Sequence, residues 1–66
     1  MLTREMLWDM KADDVIVVTR GEREVHIYRV NDHRRIYRIV TASGEQLKPV
    51  YAHTVVYWYK QGWLFD

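Results

Sequence analysis

The chain has 66 residues, 29% of them charged and 48% hydrophobic, with no cysteine. That length gives one small domain, residues 1–66, and domains this short bury only about 60% of the surface their unfolded chain exposes. Disulfides, thiolate metal sites and a cysteine nucleophile are excluded. The composition argues against disorder, and a net charge of +1 sets up no global field toward nucleic acid or membrane.

Residues 3–10 read as a short helix, with Thr3 as N-cap and Glu5 at the positive end. Lys11-Ala12-Asp13-Asp14 breaks it, and Val15 to Thr19, mostly β-branched, is the strongest strand signal. Its continuous apolarity predicts burial on both faces, as in a closed barrel or under the helix. Arg20-Gly21-Glu22-Arg23 turns into a second strand, Glu24 to Val30. Asn31-Asp32-His33 turns into a third, Arg34 to Thr41, and Ala42-Ser43-Gly44 into a short fourth, Glu45 to Lys48. Pro49 ends that strand or lies on an edge. An odd loop over Asn31-Asp32-His33 puts Ile27 opposite Tyr37 and Val25 opposite Ile39, with Arg29 and Arg35 at the mouth of that apolar face. The other face then carries His26, Tyr28 and Val30 beside Arg34, Ile36 and Arg38. The expected core contains Val15, Val17, Ile27, Ile39 and Trp58.

Residues 50–62 admit two readings. As a helix, Tyr51, Val55, Trp58 and Tyr59 form a stripe and Gly62 caps the end. As a strand, Thr54 to Lys60 is β-branched and aromatic almost throughout, and composition favours this reading. The resulting expectation is an all-β barrel of four or five antiparallel strands with a short N-terminal helix. The alternative is α+β, with hairpins followed by a C-terminal helix. Past Gly62, Trp63-Leu64-Phe65 either folds back on the body or is covered by a partner.

Lys11 to Val18 resembles the opening of small SH3-like barrels of the KOW type, with Asp13 where those domains usually carry Gly. The resemblance extends over residues 11–59 and implies a binding module for nucleic acid, peptide or protein, without an activity. His53 to Leu64 is similar to the recognition helix of MerR-type regulators and excisionases. There a further helix precedes it, in the place held here by Ala42 to Pro49.

Catalytic chemistry finds little support. Ser43 sits in a Ser-Gly turn without a neighbouring base, and Asp13-Asp14 reads as a solvated turn. His26, His33 and His53 lack metal-site spacing, and no glycine-rich phosphate loop exists. No catalytic residue, metal or cofactor is therefore assigned. Binding residues are a different matter. Six of the nine aromatics fall in the last sixteen residues, and residues 15–40 hold six arginines against three acids. Trp, Tyr and Arg are the favoured anchors of interfaces, and Arg interleaved with Tyr also suits phosphate contact and base stacking. The candidate binding residues are Tyr28, Arg29, Arg34, Arg35, Arg38, Tyr57, Tyr59, Trp63 and Phe65.

With no targeting signal or transmembrane run, the expected location is the cytoplasm. The initiating Met, without tag or linker, reads as a complete small gene product of the accessory kind that phages and mobile elements encode. The expected role is docking on a protein partner, with inhibition as one outcome. A nucleic-acid-binding barrel or regulator is the second expectation, and a subunit that self-associates into a homodimer through the C-terminal aromatics is the third.

Overall fold

A computed structural model describes residues 1–66 and shows a four-stranded antiparallel sheet covered on one face by helices. In chain order the elements are α1 (Arg4–Trp8), β1 (Val15–Arg20), β2 (Arg23–Arg29), β3 (Ile36–Val40), β4 (Val50–Tyr51) and α2 (Ala52–Gln61). A single 3₁₀ turn, Trp63–Phe65, follows. The strands form a meander, β1-β2-β3-β4. This is the α+β arrangement; the sheet stays open and no barrel closes.

Local chemistry starts each element. The Thr3 hydroxyl accepts the Met6 N–H at 3.3 Å and caps α1. Asp13, in the turn before β1, is the one non-glycine residue at positive φ, 71°, a conformation that Asp tolerates better than most side chains. Short turns then connect β1 to β2 and β2 to β3. The expected fourth strand over Glu45–Lys48 reduces to one bridge, Gln46 to Val40. The fourth strand is Val50–Tyr51, just past Pro49.

The composition-favoured strand over Thr54–Lys60 is instead α2. Helical spacing places Ala52 and Val55 in the core, with Val56, Trp58 and Tyr59 packed half-buried against it. Exposed Tyr51, expected in that stripe, lies before the helix. Gly62 closes α2 at φ 85°, its N–H reaching the carbonyls of Trp58 and Tyr59. A Cβ there would sit 2.9 Å from Arg20 Nη1, so both the turn and the packing require glycine. Burying one face of a helix outweighed the β-propensity of Val, Tyr and Trp, which is mostly a statement about context.

The core lies between the sheet and the helices. It contains Leu2, Leu7, Met10, Val25, Ile27, Tyr37, Ile39, Ala52, Val55, Leu64 and Phe65. On β2 and β3 the inward parity is the expected one, with Val25, Ile27, Tyr37 and Ile39 all buried. The pairing is displaced by two residues: Ile27 faces Ile39 and Arg29 faces Tyr37. A shift of two keeps every side chain on its face, so the hydrophobic pattern alone could not choose between these registers. Val15 and Val17, expected in the core, are 46% and 45% exposed. They lie on the uncovered face, opposite Tyr28 and His26, while Ile16 and Val18 pack inward. Trp58 is half-buried, not deeply buried. Trp63-Leu64-Phe65 folds back: Leu64 is fully buried, and its carbonyl accepts the Ala42 N–H at 3.0 Å.

Because Leu64 fills the core, Leu64→Ala should destabilise the isolated chain by about 2–5 kcal/mol, the usual cost of such a truncation. Chemical denaturation read by tryptophan fluorescence measures it. A change near zero would place the C-terminal turn outside the cooperative unit.

Candidate functional site: an arginine–aromatic cleft

One buried charge organises this end of the molecule. Arg29 leaves β2 on the inner face and is only 8% exposed. Its Nη1 donates to the carbonyls of Trp8 (3.1 Å) and Met10, its Nε to that of Asn31 (2.9 Å) and its Nη2 to that of Arg34 (3.5 Å). The Tyr37 hydroxyl, next to it across the strands, donates to the Leu7 carbonyl. Together the two side chains satisfy carbonyls at the C-terminal end of α1, where the helix dipole favours a cation and α1 has no basic residue of its own. The loop from Asn31 to Arg34 is fixed by the same guanidinium. The Asn31 side-chain oxygen also accepts the N–H groups of His33 and Arg34, at 2.9 and 2.7 Å.

That anchoring sets the walls of a cleft between α1, the β2–β3 loop and the start of α2, lined by Arg4, Trp8, Arg35, Tyr51, Ala52 and His53. Two guanidinium groups lie over the Trp8 indole, Arg35 at 4.5 Å and Arg4 at 5.6 Å from the ring centre. Tyr51 and His53 stack with their planes 12° apart and centres 6.0 Å apart. A second hollow beside it shares Arg35 and Tyr51 and adds Arg29, Asp32, His33 and Arg34. No carboxylate lines the main cleft. The one contact between a basic side chain and a carboxylate joins His26 Nε2 to Glu24 Oε1, at 3.5 Å on the exposed face, so Arg4, Arg34 and Arg35 have no carboxylate partner. The first turn of α2, at the cleft floor, holds no acidic residue and no side-chain cap.

The residues singled out in the sequence do not converge on one place. Arg34 and Arg35 flank the cleft. Arg29 is a largely buried support, 8% exposed, that reaches the surface only in the neighbouring hollow. Tyr28 and Arg38 face each other on the uncovered side of the sheet. Tyr57 is exposed on α2, beside neither. Tyr59 packs edge-on to Phe65, whose ring lies under the Arg20 guanidinium at 4.6 Å, and Trp63 tilts against Trp58. Phe65 is buried, and Trp63 retains 37% exposure. Arg4, Trp8, Tyr51 and His53 were not singled out. The i, i+4 spacing of Arg4 and Trp8 in a segment already read as helical was the available signal.

No group of three or more His, Asp or Glu side chains comes together as a metal site, and no helix is long and apolar enough to cross a membrane. Comparison with protein-family models, curated proteins and solved structures finds no match to this chain.

Two measurements test the support beneath the cleft. Arg29→Ala removes the cation and leaves buried carbonyls without donors, a loss of about 2–4 kcal/mol in denaturant titration. Arg29→Lys should recover only part of it, since an ammonium cannot reproduce the planar fork. Burial raises the Tyr37 pKa above 10.0, against the smaller lowering effects of Arg29 and Arg35. The folded state therefore holds this proton more tightly than the unfolded chain does. The contribution is complete below the unfolded value and is lost as pH rises through the folded one. Stability should fall above about pH 10, with a shallower fall in Tyr37→Phe; identical pH profiles would contradict this role for Tyr37.

Proposed function

We propose that this chain is a small, non-catalytic binding module that docks on a protein partner through the arginine–aromatic cleft, and that the partner offers an acidic surface. The observation that carries this reading is the Arg4–Trp8–Arg35 cluster beside the Tyr51–His53 pair, with no carboxylate in the lining. A guanidinium lying over an indole keeps its N–H edges for a carboxylate, which it meets in bidentate fashion. Both arginines are thus oriented before binding, so less side-chain entropy is lost on contact. Trp, Tyr and Arg are also the residues that concentrate binding energy at interfaces. Docking of this kind covers part of the partner's surface, which is how an accessory protein inhibits.

Nucleic acid is the second reading. Its supporting observation is that Arg34, Arg35 and Arg38 are all exposed and without acidic partners. The geometry fits it less well. Arg38 lies on the uncovered sheet face, Arg35 turns onto Trp8, and two cations already lie over Trp8.

Retention of a partner by the immobilised chain, from extracts of the cells that produce it, separates these readings. Arg4→Glu/Arg35→Glu changes two exposed side chains and should leave the circular dichroism unchanged. Quantitative mass spectrometry should show a protein held by the original chain and lost about thirtyfold from the variant, as expected for hot-spot residues. Added salt should weaken that retention and nuclease should not. Retention abolished by nuclease would favour nucleic acid, and equal retention by both chains would remove the cleft as the docking site.

A further inference from the structure

The sheet has a long free edge at β1. β1 ends the strand order, so one side of its six residues has no hydrogen-bonding neighbour. The opposite edge, β4, has two residues. Edge strands are commonly blunted by Pro, Lys, a bulge or a covering loop. β1 reads Val-Ile-Val-Val-Thr-Arg and contains no Pro or Lys. It pairs with β2 without interruption from Val15 to Arg20, and no element pairs with its other side. Val15 and Val17, on the uncovered face, remain nearly half exposed.

The directions of the free backbone groups follow from the ladder. The Arg29 N–H donates to the Asp14 carbonyl at 3.2 Å. Antiparallel alternation then turns the Asp14 carbonyl and the backbone groups of Ile16, Val18 and Arg20 toward β2, and those of Val15, Val17 and Thr19 toward the free edge, while the Asp14 N–H donates to the Lys11 carbonyl at 3.0 Å. We infer that two copies of this chain join along β1, antiparallel, with Val17 opposite Val17 of the second copy, in a continuous sheet to which each contributes four strands.

Charge complementarity selects this register. With Val17 facing its own copy, Val15 faces Thr19, Ile16 faces Val18, and Asp14 faces Arg20 of the second copy. The symmetry gives the acid–base pair twice. Arg20 pairs with Arg23 and the Asp14 carbonyl accepts the Arg29 N–H on the β2 side, so across the new edge Asp14 and Arg20 occupy a non-hydrogen-bonded pair, where side chains approach most closely. One Asp14 carboxylate oxygen accepts the Lys11 N–H at 2.9 Å and the other remains for Arg20. Arg20 is an acceptable partner because it has no carboxylate of its own and lies over Phe65 and Tyr59. Sliding one strand by two residues in one direction places Asp14 opposite Glu22, a repulsive pair. In the other direction it places Arg20 opposite Ala12 and shortens the ladder. Like charges directly opposite destabilise a sheet, and opposite charges or β-branched pairs support it. This contact is separate from the arginine–aromatic cleft, which includes Tyr51 of the opposite edge strand.

Sedimentation velocity over a concentration series, up to about 1 mM, should show a reversible monomer–dimer equilibrium of the full chain. Val17→Lys alters an exposed side chain outside the core and brings two ammonium groups together at the symmetry axis. It should weaken dimerisation about tenfold or more. Asp14→Arg and Arg20→Asp should each weaken it to a similar degree, and the double exchange should restore it to within about threefold of the original. In a mixed sample of labelled and unlabelled chains, an isotope-filtered NOE between Hα of Ile16 and Hα of Val18 would report the register directly, whether or not the charge variants fold. A chain that stays monomeric throughout the series, a dimer unaffected by Val17→Lys, or a dimer lacking the Ile16–Val18 contact would each overturn the inference.

Discussion

A single buried guanidinium holds the two halves of this molecule together. Arg29 has no acidic partner, yet its charge is taken up by backbone carbonyls from α1 and from the β2–β3 loop. Burying an ion is costly unless its donors are satisfied, and here every nitrogen of the fork has an acceptor. The arrangement is reciprocal. Five helical residues cannot hold themselves together in water, and α1 persists because its C-terminal carbonyls have donors in Arg29 and Tyr37. The loop that carries Arg34 and Arg35 is fixed by the same group. The exposed arginines of the cleft thus depend on a buried one.

The sheet is built for one face only. Its inner side meets α1, α2 and the C-terminal turn; its outer side carries Val15, Val17, His26, Tyr28, Ile36, Arg38 and Val40 without cover. This asymmetry explains what was readable in advance. The positions of β1, β2 and β3 followed from β-branched runs and turn residues, the α1 cap from Thr3, and the inward parity of Val25, Ile27, Tyr37 and Ile39 from alternation. The fourth strand, expected at Glu45–Lys48, lies instead at Val50–Tyr51. The uninterrupted run at Val15–Val18 suggested two buried faces because apolarity does not say whether a second layer exists. The two-residue shift in the β2–β3 pairing was invisible because both registers bury the same side chains. Residues 52–61 needed the tertiary environment, since the same Val, Tyr and Trp residues serve a helix with one buried stripe.

The site was less legible than the fold. Arg29 was grouped with the surface arginines because its sequence neighbourhood resembles theirs. Only the three-dimensional position of α1 distinguishes it. Trp8 stands far from the other aromatics in the chain, and its partner Arg35 lies across the β2–β3 loop, a relation no local pattern encodes. The cleft also lies near one edge of the sheet and the free strand at the other. Two copies joined at β1 would hold two clefts apart at a fixed geometry, so a partner with repeated acidic sites would gain by effective concentration and not by new contacts.

The core draws on both ends of the chain. Leu2 is 2% exposed, Leu64 is fully buried, and Phe65 lies beside them in the same cluster. The hairpins of the meander close over short loops, whereas bringing Leu2 and Leu64 into one cluster closes a loop of about sixty residues, the entropically dearer step. On loop-closure cost alone the hairpins form before the two ends join. Loosening of the C-terminal turn exposes the interior without breaking a hairpin, and where reclosing outpaces cleavage a protease meets the open form in proportion to its population.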